Sequence, residues 1–349
     1  MVDYLIVGQG IAGSCLALKL IKENKSFIIV DENKNKASTV AVGIYNPVVL
    51  KRFALIWKAE EQLELLEDYF QSFENLLKQK FLYKVPTYRI FNDESEKKTW
   101  KKKSALPHLK KFLSEEIYSN QTENLNAPLG YSEVLQTGRI DLENCLNGFT
   151  DYLIQHDLYK NERFDYSQLV IEKEKVTYKN ILAKRVVFCE GFGIKNNPYF
   201  NYLPIIGVKG EVLKIETNKK IPNGIWKAYN FLMPLQDNIC FTASTYNRED
   251  LSSEPSENGK QEILTHLKEI YDGNVKILEH TAGIRPTVID RRPILGSHSL
   301  HKNLYILNGM GTRGTLLAPQ MSEFLYDFIE FQKDIDKEAD IRRFDKLIC

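Results

Sequence analysis

The chain opens with a glycine-rich turn directly after a short apolar strand, and this pattern restricts the fold more than any other feature. Residues 4–7 (YLIV) form the apolar run of a buried parallel strand, and Gly8, Gly10 and Gly13 follow at the spacing G-x-G-x-x-G. These glycines permit a tight turn, close approach of the backbone to a diphosphate, and close packing of the next helix on the strand. We therefore predict that the N-terminus of this helix faces a dinucleotide.

The residues after the turn complete a βαβ pattern. Residues 14–21 supply a helix and residues 26–30 a second strand, which ends at Asp31. An acidic residue about 20 positions after the glycines is typical of a ribose-binding position. The sequence therefore predicts an α/β fold that begins with a Rossmann-like half.

Composition excludes several other classes of protein. The 349 residues are 43% hydrophobic and 27% charged with a formal net charge of +1, which disfavours a dedicated nucleic-acid-binding protein. No run approaches the ~18 apolar residues of a membrane span, and we expect no cleaved leader before the first strand. The cysteines are widely spaced, which predicts neither a zinc site nor a disulfide framework and favours a cytoplasmic protein. They are Cys15, Cys145, Cys189, Cys240 and Cys349.

Apolar periodicity predicts the remaining elements. The predicted helices cover residues 57–81, 142–155, 262–271 and 315–332, and Asp141 is predicted to cap the second of these. The predicted strands cover residues 84–91, 180–189 and 304–307, with antiparallel strands over 211–216, 225–234, 238–245 and 275–283. We interpret the lysine-rich segment 97–111 as a solvated surface, with phosphate contacts as the alternative.

A second glycine-rich turn precedes the last helix. Gly309, Gly311 and Gly314 separate a strand from a helix predicted to begin at Thr315, whose N-terminus carries partial positive charge. In a flavoenzyme, such a helix end stabilises the negative charge that develops on the reduced flavin. A nicotinamide enzyme gains no comparable benefit, so the turn favours a flavoprotein.

Five segments together carry a family resemblance. They are GQGIAG (residues 8–13) with Asp31, ASTVAVG (37–43), GVKGEVLKI (207–215), AGIRPTVIDRRPILG (282–296) and NGMGTRGTLLAP (308–319). In this combination the chain resembles the FAD-dependent D-amino-acid oxidase superfamily, most of all its glycine oxidase and sarcosine oxidase branches. The resemblance covers most of the chain and is weakest between residues 82 and 138.

The resemblance implies two interleaved domains. A Rossmann-like FAD-binding domain is expected to comprise residues 1–55, 140–208 and 285–349. An α+β substrate domain built on an antiparallel sheet is expected to comprise residues 56–139 and 209–284. The sequence predicts no oligomeric state.

The resemblance also implies which residues bind FAD, and it implies non-covalent attachment because the matched flavin loop offers no cysteine or histidine. Asp31, with Glu32 beside it, stands where the family more often has a glutamate. The residues assigned to FAD are Gly8, Gly10, Ile11, Ala12, Gly13, Asp31, Glu32, Ala37, Ser38, Val42, Gly43, Gln168, Gly191, Met310, Gly311, Thr312, Arg313, Gly314, Thr315 and Leu316.

Arg285 is the main candidate for substrate binding, because the resemblance places it where the family binds a substrate carboxylate. A guanidinium offers two parallel N–H donors that fit a carboxylate, and Pro286 favours an extended backbone at Arg285. The alternative is a structural ion pair with Asp290. Arg313, in the loop that the family places above the flavin, is the second candidate.

One position departs from the glycine oxidase branch, which has a tyrosine where this chain has Phe231. Tyr229, Tyr246 or Tyr45 is a candidate to supply the missing hydroxyl group. In the segment 43–53, Tyr45, Asn46, Lys51 and Arg52 are weaker candidates for the active site.

The resemblance implies oxidation of the C–N bond of a carboxylated amine or amino acid, by hydride transfer to FAD and hydrolysis of the imine. Oxygen or another acceptor would reoxidise the flavin. The six histidines lack metal-ligand spacing, so we expect no metal site. Three alternatives stay open: an oxidase of a modified wobble uridine in tRNA, an NAD-dependent enzyme, and a flavin-bound module without catalysis.

Overall fold

The computed structural model describes residues 1–34, 37–119, 122 and 124–347. The α-helices in chain order are α1 Ile11–Lys22, α2 Ala37–Val40, α3 Ala59–Leu77, α4 Glu94–Ser104, α5 Leu142–Gln155, α6 Glu257–Ile270 and α7 Gly314–Phe331. The strands are β1 Val2–Val7, β2 Phe27–Asp31, β3 Ile44–Tyr45, β4 Val48–Val49, β5 Ala54–Leu55, β6 Leu82–Lys84, β7 Thr87–Ile90, β8 Tyr131–Val134, β9 Gly138–Ile140, β10 Tyr159–Asn161, β11 Leu169–Ile171, β12 Val176–Tyr178, β13 Ile181–Phe188, β14 Ile205–Thr217, β15 Ile225–Lys227, β16 Phe231–Gln236, β17 Ile239–Ala243, β18 Val275–Val288, β19 Ile294–Ser297 and β20 Leu304–Asn308. Within the described ranges, no helix is long and apolar enough to cross a membrane.

An eight-stranded sheet forms around the N-terminal strand. β1 pairs in parallel with β2 on one side and with β13 on the other, and β20 pairs in parallel with β13. Tyr4 and Ile6 of β1 pack into a core that also contains residues of α1, α3, α5 and α7, whereas Leu5 and Val7 pack into a core on the opposite face. Both faces of the sheet are therefore covered, as parallel strands require.

A seven-stranded, mostly antiparallel sheet has the order β18-β14-β17-β16-β15-β7-β8. One face packs on α6 through a core that includes Leu213, Leu232 and Ile263. The combination of a Rossmann-like sheet with a second, antiparallel sheet confirms the predicted fold class. The domain boundaries stay a prediction, and those at 208/209 and 284/285 fall inside β14 and β18.

Several elements differ from their predicted limits. The helix expected over 57–81 is the shorter α3, and the strand expected over 84–91 divides into β6 and β7, which belong to different sheets. The division falls before Pro86, which has no N–H group to donate to a ladder. The strand expected over 225–234 divides into β15 and β16, which form an antiparallel pair.

Capping differs from expectation at two helices. Asp141 is the N-cap residue of α5, but its carboxylate accepts no hydrogen bond from a backbone N–H of the helix. It accepts one from the side-chain Nδ2 of Asn144 at 3.0 Å instead. α6 begins five residues earlier than predicted, where Ser256 Oγ accepts a hydrogen bond from the N–H of Gly259 at 3.0 Å. In α4, Lys98, Lys101 and Lys102 are exposed, whereas Lys97 and Lys103, three residues on either side of the buried Trp100, are half-buried.

The described cysteines are free and buried: Cys15, Cys145, Cys189 and Cys240. Cys349 lies outside the described residues.

Candidate functional site

A cavity of about 800 Å³ lies between the carboxyl ends of β1, β2 and β13 and the face of the seven-stranded sheet that points away from α6. The chain runs from β1 to β2 on one side, and β13 lies on the other side of β1, so the strand order changes direction at this point. In open α/β sheets, ligands bind in the crevice at such a point. The fold alone therefore identifies this cavity as the candidate site.

The N-terminal glycine turn forms one wall of the cavity. Gly8 has a φ of +98°, and a Cβ atom there would lie 2.6 Å from the carbonyl oxygen of Cys189. A Cβ at Gly13 would lie 2.0 Å from the carbonyl oxygen of Gly8. Only glycine fits at these two positions, because the strand, the turn and α1 pack in direct backbone contact.

Two helix N-termini reach the cavity without capping side chains. The N-cap of α1 is Gly10, which has no side chain, and the N-cap of α7 is Arg313, whose side chain makes no capping hydrogen bond. Neither first turn contains an acidic residue. One donor of α1 is used, since the N–H of Ile11 donates to Ser38 Oγ at 3.1 Å. The partial positive charge of both helix ends is thus directed toward one space.

Asp31 is held in place at the end of β2. Its carboxylate accepts hydrogen bonds from the N–H groups of Gln9 and Asn33, both at 2.7 Å, and from the hydroxyl of Tyr159 at 3.1 Å. These hydrogen bonds fix the orientation of the carboxylate, which is an acceptor of the kind that a ribose hydroxyl requires.

Arg285 faces the cavity from β18. It lies opposite Val208, two positions along β14 from Gly210, and its Nη1 donates to the carbonyl oxygens of Thr245 at 3.2 Å and Lys209 at 3.4 Å. Burial lowers the pKa of the Arg285 guanidinium. The predicted alternative, an ion pair with Asp290, is wrong, because the carboxylate of Asp290 pairs with Arg343 at 2.9 Å.

Phe231 also lines the cavity, and the three tyrosines considered in its place do not. Tyr45 is buried away from the wall, whereas Tyr229 and Tyr246 are about half exposed. Of the three, Tyr246 is near enough to Arg285 to raise the pKa of that guanidinium, against the larger effect of burial.

Most of the sequence-assigned residues line the cavity, although their roles stay predictions. Those in the wall are Gly8, Gly10, Ile11, Ala12, Asp31, Glu32, Ala37, Ser38, Val42, Gly43, Gly191, Arg285, Met310, Gly311, Thr312, Gly314 and Thr315. Four others lie outside it: Gly13, Gln168, Arg313 and Leu316.

Arg313 lies outside the cavity wall, near enough to other arginines for their charges to affect its pKa. Burial lowers its pKa, and repulsion from Arg292, Arg291 and Arg52 lowers it further. Of these four side chains, only Arg292 forms an ion pair with a described residue, Glu338, at 2.9 Å.

Sequence reasoning missed two groups of lining residues. The first comprises Arg163, Tyr166, Glu190 and Asn196, and the second is the loop 251–254. Glu190 carried a usable signal, because it directly follows a predicted strand and precedes Gly191. The loop carried none, since nothing in its sequence shows that it folds back over the sheet.

The residues present fit a dinucleotide. Two uncapped helix ends and a turn without room for side chains suit a diphosphate, and Asp31 suits a ribose. Among the described residues, no group of three histidine, cysteine or acidic side chains is arranged to hold a metal ion.

A parallel sheet with this turn and this cavity defines a dinucleotide-binding protein. The profile of the DAO family, described as FAD dependent oxidoreductase, matches residues 3–327, and the chain belongs to this family. It is therefore an FAD-dependent oxidoreductase. Membership sets aside the nicotinamide alternative and the alternative without catalysis.

Curated relatives are similar over parts of the chain. The tRNA 5-methylaminomethyl-2-thiouridine biosynthesis bifunctional protein of Leptospira borgpetersenii is 23% identical over 93% of this chain and 56% of its own length. The corresponding protein of Marinobacter nauticus is 25% identical over 35% of this chain and 21% of its own length. The glycine oxidase of Bacillus subtilis is 24% identical over 46% of this chain and 44% of its own length. The chain thus spans at most about half the length of these relatives.

Solved structures share the fold. Glycine oxidase from Bacillus cereus superposes with a TM-score of 0.77 at 19% identity, covering 96% of both chains. Iminodiacetate oxidase from Chelativorans gives a TM-score of 0.80 at 15% identity, covering 97% of this chain and 98% of that one.

Proposed function

We propose that this enzyme oxidises the C–N bond of an amine or amino acid that carries a carboxylate, and that Arg285 binds the carboxylate. One observation carries the proposal: Arg285 faces the cavity, and among the described residues no acidic side chain pairs with it. A half-buried cation without a counter-ion favours an anionic ligand.

The geometry of Arg285 supports recognition of a planar anion. Both hydrogen bonds to backbone carbonyls use Nη1, so Nε and Nη2 make no hydrogen bond to a described residue. These two donors form the fork that matches the two oxygens of a carboxylate. An arginine stays protonated despite a lowered pKa, so the positive charge persists at every working pH.

The part of the cavity wall beside Arg285 is apolar. Phe231 and Ala243 are cross-strand partners, and Val212 is the next partner of Ala243, so the three side chains share the face that carries Arg285. Bound FAD supplies the two-electron oxidation, and water hydrolyses the imine product. The protein's part is to orient the amine and to exclude water from the reacting bond.

We assign the cofactor to the eight-stranded sheet and the substrate to the seven-stranded sheet, with the domain limits expected from the sequence. The wall residues of the glycine turns would hold the diphosphate and the flavin. Oxygen or another acceptor would reoxidise the flavin.

The cysteines among the described residues are separated and free, which supports a cytoplasmic location.

Replacing Arg285 tests this function. In Arg285→Lys the single charge remains but the fork is lost, so the apparent Kd for a carboxylated amine should rise about 10- to 100-fold, as for loss of a charge-assisted hydrogen bond. The measurement is anaerobic bleaching of the flavin band by glycine, sarcosine, proline and D-amino acids. Arg342→Lys, at an exposed arginine, should behave as the unmodified enzyme. Equal bleaching in both variants, or FAD-loaded enzyme that no carboxylated amine reduces, would overturn the proposal.

The arginine cluster of Arg52, Arg291, Arg292 and Arg313 favours a second candidate, an amine attached to tRNA. Arg52, Arg291 and Arg292 lie near enough to Arg313 to lower its pKa, and of these four side chains only Arg292 forms an ion pair with a described residue, Glu338. Such a local excess of guanidinium groups suits phosphates despite the near-neutral net charge. The Leptospira relative, whose name refers to a modified tRNA base, covers 93% of the chain.

Salt dependence separates this candidate from the first. If tRNA is the substrate carrier, its Kd should rise steeply between 50 and 200 mM salt, and Arg52→Ala with Arg291→Ala should reduce the slope by about 2. Filter binding with unmodified tRNA measures this. The absence of binding at 50 mM salt would exclude the tRNA candidate and leave the small amine.

A further inference from the structure

Glu190 is a carboxyl group in the cavity wall that the proposed reaction does not use. It lies two residues after Phe188, the last residue of β13, and lines the cavity together with Tyr166. The hydroxyl of Tyr166 donates to Oε1, and the side-chain amide of Asn197 donates to Oε2 at 2.8 Å. Both oxygens are therefore oriented by neutral donors.

The location of Glu190 coincides with the binding crevice of the sheet. A Cβ built on Gly8 would lie 3.2 Å from Glu190 Cα, so the first glycine of the turn and Glu190 are neighbours across β1 and β13. The strand order changes direction between these two strands. This is the edge at which the diphosphate of a dinucleotide lies in such folds.

No cation among the described residues pairs with Glu190. The charge of Arg163 lowers the pKa of the Tyr166 hydroxyl, against the larger effect of burial. Lys195 Nζ donates a hydrogen bond to the carbonyl oxygen of Leu203 at 3.0 Å. Cys189 is the adjacent titratable group, and burial and Glu190 both raise its pKa. The facing first turn of α1, residues 11–14, contains no titratable side chain. The next residue, Cys15, is titratable, and burial raises the pKa of its thiol.

The other acids that line the same cavity are Asp31, Glu32 and Glu254. Burial raises the pKa of Glu190 to about 7, although the hydrogen bonds from Asn197 and Tyr166 oppose the increase. The carboxyl group thus changes its charge near neutral pH, next to the place of a doubly charged diphosphate.

We propose that Glu190 contacts FAD as a neutral carboxylic acid, so that FAD binding takes up one proton. A carboxylate beside the diphosphate would repel it, whereas a protonated carboxyl group donates a hydrogen bond to a cofactor oxygen. The proposal rests on FAD as the cofactor and is independent of the substrate at Arg285.

The test measures FAD binding to the apoprotein at pH 6, 7, 8 and 9 by quenching of flavin fluorescence. The Kd should be nearly constant below pH 7 and should approach a tenfold rise per pH unit above it. Glu190→Gln keeps a neutral donor and should give a flat profile at the Kd of the low-pH protein. Glu254→Gln, at another acid in the wall, should keep the pH dependence.

A second measurement covers the case in which the variant does not fold. FAD added to the unmodified apoprotein in weakly buffered solution should take up close to one proton per site at pH 8 and almost none at pH 6. A flat Kd profile for the unmodified protein, an unchanged slope in Glu190→Gln, or no uptake at pH 8 would overturn the proposal. Failure to reduce the flavin with any amine would overturn only the proposed substrate.

Discussion

The position of the Arg285 guanidinium depends on a residue with no side chain. Gly210 lies beneath it on β14, and a Cβ built there would lie 1.8 Å from Nη2 of Arg285. A glycine on one strand thus permits the position of the proposed carboxylate-binding side chain on its neighbour.

Gly210→Ala should therefore impair substrate binding without removing any charge. The guanidinium has to move, so we expect the apparent Kd for a carboxylated amine to rise about tenfold, as for a misplaced bidentate donor, with little change in FAD affinity. Anaerobic flavin bleaching measures the first effect and flavin fluorescence the second. Gly148→Ala is the control, since its Cβ would lie 3.6 Å from Leu77. Unaltered amine binding in Gly210→Ala would show that Arg285 does not hold the carboxylate.

At the scale of single residues, most of the residues assigned from the glycine motifs line the cavity. The spacing of the motifs could predict this because the backbone conformation of a glycine turn is determined by the turn's own sequence. Arg313, whose role stays a prediction, lies outside the wall although it directly follows the wall residue Thr312. Successive residues at a helix start point about 100° apart, so neighbours in sequence face different surroundings. Glu190 was not predicted to line the cavity, because its location there depends on contact with Gly8, which is far away in the sequence.

At the scale of elements, strongly periodic segments were predicted best. α5 has the predicted limits because its apolar residues repeat at helical spacing, and Asp141 is its N-cap residue, although its side chain makes no capping hydrogen bond. α6 begins early because Ser256 caps it, while Ser256 Oγ also donates to Glu211 Oε1 at 2.7 Å. That second partner lies on β14, and no local pattern predicts it.

The long strands β14 and β18 show a related limit. They pair from Ile205 with Val288 to Thr217 with Val275, well beyond the stretches expected over 211–216 and 275–283. The additional pairs include Arg285 with Val208. Pairing across the sheet extends a strand past the end of its own apolar alternation, and in this protein the extension carries the candidate substrate residue.

At the scale of the molecule, the cavity wall joins the two large sheets, so FAD should stabilise the whole chain. With free FAD at 100 times its Kd, the free energy of unfolding should rise by about 2.7 kcal/mol, and the melting temperature by about 4 °C. Differential scanning fluorimetry of the apoprotein with added FAD measures this. Arg285→Ala should show the same shift, because its side chain is assigned to the substrate. A melting temperature independent of FAD would contradict binding in this cavity.

The parallel alignment of β1, β13 and β20 also determines when the site can exist during synthesis. β1 leaves the ribosome first, but its neighbour β13 ends at Phe188, and β20 begins at Leu304. At about 5 to 20 residues per second, translation of the roughly 300 residues between β1 and β20 takes about 15 to 60 s. Until α7 has been synthesised, the core that covers one face of β1 and α1 lacks some of its residues. Because Met310 and Thr315 also line the cavity, we expect the complete FAD-binding cavity to form only after β20 and the start of α7 have been made.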